Sequence, residues 1–203
     1  GTLDLDSKLI EFFPEIPYED ITVEHLLTHT SGIPFYYDAL IKDHWGAGRT
    51  LNTDTIFQLY AKLKPEQEFA AGQKFSYSNA GYMLLAGIAE RATGKSFDQL
   101  LETYIFSEAG MQSTKRDVLL SVDDNYALGH QLSVKQGAYV PLSMHEDSLE
   151  MLDYFFKDSK GPGGMYASMG DLWKFSKAIQ NNTILNEEST ALMFTPATLA
   201  DGS

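Results

Sequence analysis

The segment that most constrains this chain is residues 75–82, which read FSYSNAGY. A helical pattern follows over residues 80–93, and Gly94 is a natural helix stop. If residues 75–79 are extended, Tyr77 and Asn79 project to the same side and Ser78 to the other. That geometry would place a phenol and an amide in one cleft. The alternative is that Asn79 is only the N-cap of the helix and Tyr77 an ordinary packed aromatic.

Helical periodicity and capping residues describe much of the remaining chain. They predict helices over about 22–28, 53–64, 80–93, 96–105, 169–180 and 186–194. The predicted caps are Thr22, Asn52 or Thr53, Ser96, and Ser168 paired with Asp171 in a capping box. Period-two alternation over 126–143 (Tyr126, Leu128, His130, Leu132, then Tyr139 and Leu142) predicts a β-hairpin, and residues 35–51 are predicted to be a loop. The expected fold class is therefore α+β and mainly helical.

Apolar residues at helical spacing predict which side chains face the core. They are Ile56, Leu59, Tyr60 and Leu63 in one helix, Phe97, Leu100, Leu101 and Tyr104 in the next, and Leu172, Phe175 and Ile179 in a third.

Four segments follow one another in a distinctive order. They read ITVEHLLTHTSGI at 21–33, FSYSNAGY at 75–82, GKSF at 94–97 with GMQST at 110–114, and GPGGMYAS at 161–168. Together they span most of residues 3–195 and resemble the serine β-lactamase-related family. That family includes class C β-lactamases, D-alanyl-D-alanine carboxypeptidases and related esterases.

The resemblance implies a fold and a site. In the family, a helical subdomain packs on an antiparallel sheet built from both chain ends. Three motifs form the site: Ser-x-x-Lys with the nucleophile, Tyr-x-Asn, and a Lys-Thr-Gly or His-x-Gly strand. Carried onto this chain, the second motif makes Tyr77 a catalytic residue in proton transfer and Asn79 a substrate-binding residue.

The first and third motifs are absent from the sequence. No serine is followed by a lysine three residues later, there is no Lys-Ser/Thr-Gly or Gly-x-Ser-x-Gly, and no His-x-Gly follows the Tyr-x-Asn motif. We therefore expect residues 1–203 to be a partial domain, truncated at both ends, with a helical subdomain, a hairpin near 126–143 and most of the antiparallel sheet missing. We expect this piece alone to be inactive. The substrate of the parent enzyme stays open between a β-lactam, a D-alanyl peptide and an ester. The alternative function is a non-catalytic module that binds peptidoglycan or peptide on the same scaffold.

Composition narrows the possible partners. The formal net charge of −13 argues against nucleic-acid binding, which needs a basic face. The chain has no cysteine, which excludes disulfides and suits an exported protein, periplasmic or extracellular, without them. No cofactor is expected. Truncation should expose the face that normally packs on the sheet, so self-association is expected.

Other residues invite functional interpretations that we weigh against structural ones. His25 and His29 are four residues apart, but without His-Glu-x-x-His they are expected to be helix-end or solvated histidines, and no metal site is predicted. His29 lies close to Ser31 in the sequence and could suggest a Ser–His pair. Ser31 is not expected to be a nucleophile, because residues so near each other at a helix end rarely face each other. The glycines at 161–164 predict a tight turn whose backbone approaches the cleft or the nucleophile helix. Trp45 and Trp173 are expected to be packed aromatics, with a substrate wall as the alternative.

Overall fold

The computed structural model describes residues 3–34, 53–116, 127, 129–141 and 160–203. Its helices are α1 Leu9–Phe12, α2 Val23–Leu27, α3 Thr53–Leu63, α4 Asn79–Thr93, α5 Phe97–Leu101, α6 Ser107–Ala109, α7 Met169–Gln180 and α8 Glu187–Met193. A π-helical turn, Glu102–Phe106, joins α5 to α6. The strands are β1 Lys115–Arg116, β2 His130–Ser133, β3 Ala138–Pro141 and β4 Met165–Tyr166. The predicted loop at 35–51, Trp45, Asn52, Tyr126, Leu128 and Leu142 lie outside the described residues.

Helix α4 is the centre of the packing. It contacts α1, α2, α3 and α5, and Met83, Leu84 and Ile88 on it are buried. Gly87 lets two aromatic rings approach the helix, because a Cβ there would lie 2.7 Å from the rings of both Phe13 and Phe57. The Tyr-Ser-Asn segment therefore leads directly into the most enclosed helix of the described structure.

The core is one cluster drawn from α1 to α4 and the segments between them. Its largest fully buried side chains include Tyr60, Phe13, Leu9, Ile16, Ile21, Leu26, Met83, Leu84 and Ile88. None of the described helices combines the length and apolar character needed to cross a bilayer.

Most predicted helix caps are confirmed. The side chains of Thr22, Ser96 and Ser168 each accept a hydrogen bond from the backbone N–H three residues later. Asn186, where the last helix was expected to begin, caps α8 in the same way. Thr53 as a cap is wrong, because it lies inside α3 and its hydroxyl accepts a hydrogen bond from the Lys160 N–H at 3.0 Å.

The predicted inward faces of two helices need correction. In α3 the buried apolar residues are Ile56, Phe57 and Tyr60, whereas Leu63 is exposed, so the buried face is rotated toward Phe57. After α5, the π-helical turn lengthens by one residue the spacing between buried positions. The buried residue that follows Leu101 is therefore Phe106. Tyr104 is exposed instead, and its ring contacts the Lys95 ammonium at 4.9 Å.

The prediction for α7 is right in its bounds and wrong in two details. Ile179 is buried, but Leu172 and Phe175 lie on the exposed side. Asp171 does not return a capping-box hydrogen bond to Ser168; its carboxylate instead binds groups of the 113–114 segment and Lys174.

The strands form two small antiparallel pairs in the described part of the chain. β1 pairs with β4, and β2 pairs with β3 in the predicted hairpin, with Leu132 opposite Tyr139. The fold class is therefore α+β and mainly helical, as predicted.

Candidate active site

The Tyr-Ser-Asn segment lies where an extended chain enters α4. Ser78 is the N-cap, with φ −139° and ψ 111°, and its Oγ accepts a hydrogen bond from the Gly81 N–H at 3.3 Å. Asn79 is therefore the first residue of α4, and the alternative that it is only the N-cap is wrong. Its side chain remains available for another role.

Tyr77 and Asn79 face the same side, as the extended geometry predicts. The Tyr77 hydroxyl donates a hydrogen bond to Asn79 Oδ1 at 2.9 Å. The Tyr77 side chain is 66% exposed, whereas Ser78 is 6% exposed and faces inward. The phenol and the amide thus form an exposed pair at the start of a buried helix.

The segment 29–32 lies beneath this pair. The Ser76 N–H donates to the His29 carbonyl at 2.9 Å, the Gly72 N–H to the Thr30 carbonyl at 2.9 Å, and the Glu68 N–H to the Gly32 carbonyl at 2.9 Å. Residues 68–78 therefore run along 29–32 and are held there by backbone hydrogen bonds.

His29 contacts the Tyr-Ser-Asn segment, and the sequence did not predict this contact. Its Nδ1 accepts a hydrogen bond from the Ser78 N–H at 3.2 Å. Its ring stacks on Tyr82 at 4.9 Å between centroids and lies 4.6 Å from the Tyr77 ring. Burial lowers the pKa of His29 below its ordinary value of 6.5. His29 begins the His-Thr-Ser-Gly sequence, but Ser78, which donates to its ring, lies 49 residues later in the chain.

Ser31 and His25 have structural contacts. Ser31 is 1% exposed, and its Oγ accepts a hydrogen bond from the Ile33 N–H at 3.4 Å. His25 Nδ1 accepts a hydrogen bond from the Thr22 N–H at 3.2 Å at the start of α2. Across the described ranges, no three His, Asp or Glu residues come together in a way that could hold a metal ion.

The glycines at 161–164 approach α4. Gly161 has φ 103°, and a Cβ there would lie 2.1 Å from the Tyr82 carbonyl oxygen. The predicted close backbone approach is therefore to the first turn of the helix that follows the Tyr-Ser-Asn segment. Trp173 is not a packed aromatic, since it is 64% exposed with the Lys177 ammonium 4.8 Å from its ring.

Comparison with known proteins decides the family. The sequence profile described as Beta-lactamase matches residues 1–202. This chain belongs to the beta-lactamase family. A curated relative of this family member is "Penicillin-binding protein 4*" of Bacillus subtilis strain 168, which is 30% identical over 207 residues covering 100% of this chain and 45% of that protein.

Solved structures agree on the fold of this beta-lactamase family member. The penicillin-binding protein from Bacillus halodurans superposes with a TM-score of 0.77 and 27% identity, over 97% of this chain and 57% of that one. The D-amino acid amidase from Ochrobactrum anthropi SV3, complexed with D-phenylalanine, gives a TM-score of 0.70 and 25% identity, over 94% and 53%. The chain thus spans about half the length of these relatives, and its two small sheets fit a partial version of their fold.

Proposed function

We propose that these residues supply the second catalytic motif of a serine hydrolase that works through an acyl-enzyme. The observation that carries the proposal is the exposed hydrogen bond from Tyr77 to Asn79 at the start of α4. A nucleophilic serine and its lysine would come from residues outside this chain, because the sequence has no Ser-x-x-Lys.

The chemistry assigns Tyr77 to proton transfer. The serine oxygen forms a bond to the substrate carbonyl carbon, and the bond from that carbon to the leaving nitrogen or oxygen breaks. The serine proton passes through Tyr77 and the lysine to this leaving amine or alcohol. A free phenol has a pKa of about 10, so it acts as a base only where cations favour the phenolate. Donating to Asn79 leaves lone pairs on the Tyr77 oxygen, where a lysine ammonium can donate.

Asn79 is assigned to substrate binding. Its Oδ1 accepts from Tyr77, so the two N–H donors of its amide remain for a substrate carbonyl or for other groups of the site. The substrate class is a β-lactam, or an amide, peptide or ester with a D-configured residue. Relatives named as a penicillin-binding protein and as a D-amino acid amidase support that range.

The test compares the 203-residue chain with a longer protein that contains it. We expect the chain alone to form no adduct with a fluorescent penicillin or an activated ester by intact-mass spectrometry, since losing the nucleophile costs about 10⁶ in rate. In the longer protein we expect acylation on a serine outside residues 1–203. Tyr77→Phe should slow that acylation by roughly 10²- to 10⁴-fold.

A matched control separates catalysis from general damage. Tyr104→Phe removes a hydroxyl from another exposed tyrosine, on the π-helical turn, and should leave acylation unchanged. A stoichiometric adduct on a serine of the chain itself would refute the proposal. Tight binding of peptidoglycan fragments by the longer protein with no acylation would instead establish the non-catalytic binding module.

A further inference from the structure

We infer that His29 is a positioning residue, whose neutral imidazole with its proton on Nε2 holds the Ser78 amide and thereby fixes Tyr77 and Asn79. This inference deepens the proposed function, on which its catalytic meaning rests. Its structural content concerns this chain alone and can be measured without a substrate.

The hydrogen bond fixes the tautomer. A backbone N–H can only donate, so Nδ1 must present a lone pair to Ser78 at 3.2 Å. A neutral imidazole with Nδ1 as acceptor carries its proton on Nε2. A doubly protonated ring would place a second N–H against the Ser78 N–H, and the contact would be lost.

The contact between His29 and Ser78 involves a backbone N–H that the helix itself cannot pair. Ser78 is the N-cap of α4, so its own N–H has no acceptor within the helix. His29 serves two alternate amides of the extended segment, since its carbonyl accepts from the Ser76 N–H and its ring from the Ser78 N–H. The ring nitrogen thus takes the acceptor role that a carbonyl would have in a regular strand pair.

The His29 ring also packs against the Tyr77 side chain and so restricts its position. The imidazole lies between Tyr77, 4.6 Å away between centroids, and Tyr82 of α4, 4.9 Å away, with the Phe75 ring at 5.9 Å. The titratable groups facing it are the Tyr77 and Tyr82 phenols, and no described residue forms an ion pair with it. Burial lowers the pKa of His29, so the accepting form is the stable one near neutral pH.

His29 also has a backbone conformation that allows a clean test. Its φ of 57° is left-handed, a conformation that asparagine and glycine tolerate best. In His29→Asn the amide Oδ1 occupies the position of Nδ1, so the acceptor is kept without the titrating ring. In His29→Gly the backbone is equally relaxed but the acceptor is gone.

The experiment uses nuclear magnetic resonance on the 203-residue chain. Imidazole nitrogen shifts of the wild type should show an Nε2–H tautomer at neutral pH. The protection factor of the Ser78 amide against hydrogen exchange should fall as pH drops through the His29 titration. We expect His29→Gly to lower that protection about fivefold, the equivalent of one hydrogen bond, and His29→Asn to retain it without the pH dependence.

Several outcomes would overturn the inference: an Nδ1–H tautomer, Ser78 protection that ignores the His29 titration, or equal protection in the Asn and Gly variants. The two wild-type measurements decide the matter even where a variant fails to fold. In the longer protein, His29→Asn should keep acylation near the wild-type rate and His29→Gly should slow it about fivefold. If no acylation occurs there, the proposed function fails while the positioning result stands on the amide data.

Discussion

The carboxylate of Asp171, in the first turn of α7, accepts a hydrogen bond of 2.6 Å from the backbone N–H of Ser113, 58 residues away in the chain. The same carboxylate accepts from the Thr114 hydroxyl at 3.0 Å and from the Lys174 ammonium at 2.9 Å. One buried side chain therefore fastens α7 to the segment that follows α6.

These contacts predict a pH-dependent stability. The hydrogen bond from Lys174, followed by those from Ser113 and Thr114, outweighs desolvation and lowers the pKa of Asp171 from 3.8 to about 2. The unfolded chain therefore binds more protons than the folded chain between those values, so stability is present above pH 3.8 and is lost as pH falls toward 2. Asp171→Asn should lower the urea midpoint at neutral pH and flatten its decline across this range.

The control for Asp171 is another acidic residue in the first turn of a helix. Asp54→Asn, on the exposed surface of α3, should shift the urea midpoint at neutral pH much less than Asp171→Asn does. Equal shifts from the two variants would contradict the assigned role of Asp171.

Two glycines with nearly equal φ predict unequal costs of substitution. Gly94 has φ 70° and no atom within 4 Å of the position that a Cβ would take, so Gly94→Ala should cost about 1–2 kcal/mol for the left-handed backbone alone. Gly32 has φ 68°, but a Cβ there would lie 2.1 Å from the Phe69 carbonyl oxygen. We expect Gly32→Ala to cost roughly 1–3 kcal/mol more, because a backbone atom must move. Urea unfolding of both variants measures the difference, and equal costs would refute the close approach.

The ion pair between Glu90 and Lys160 should be measurable. The Nζ–Oε1 distance is 2.9 Å, the side chains are 21% and 24% exposed, and Glu90 also accepts from the Phe97 N–H at 2.7 Å. A double-mutant cycle with Glu90→Gln and Lys160→Met should give a coupling energy of about 1 kcal/mol, at the upper end for partly exposed pairs.

The more exposed pair of Lys8 and Asp20 is the control for this cycle. Its N–O distance is 3.5 Å and its side chains are 48% and 90% exposed, so its coupling should be near zero, at most about 0.5 kcal/mol. A coupling energy for Lys8 and Asp20 as large as that for Lys160 and Glu90 would show that burial does not determine the strength of these ion pairs.

The exposed side of α7 predicts self-association with a second copy of the chain. Met169, Leu172 and Trp173 are exposed and lie on one face by helical spacing. The net charge of −13 opposes association, so sedimentation velocity should show more dimer at high than at low ionic strength. Trp173→Lys should reduce dimer formation, whereas Val134→Lys, at an exposed hairpin-turn position, should not. A monomer at all salt concentrations would refute the prediction.

The sequence by itself determined the parts of this protein that depend on local chemistry. Helix bounds followed from 3.6-residue periodicity and from caps such as Thr22 and Ser96, whose hydrogen bonds span three residues. The shared side of Tyr77 and Asn79 followed from the two-residue period of an extended chain, confirmed by their hydrogen bond. Motif order predicted the family, which the profile match then showed.

Only the tertiary structure decided which faces are buried and what holds the site. The π-helical turn exchanged Tyr104 for Phe106 in the core, because one added residue rotates every later side chain. His29 meets Ser78 across 49 residues, and Asp171 meets Ser113 across 58. Such pairings depend on how distant segments pack against each other, and no local period or propensity encodes the choice among possible partners.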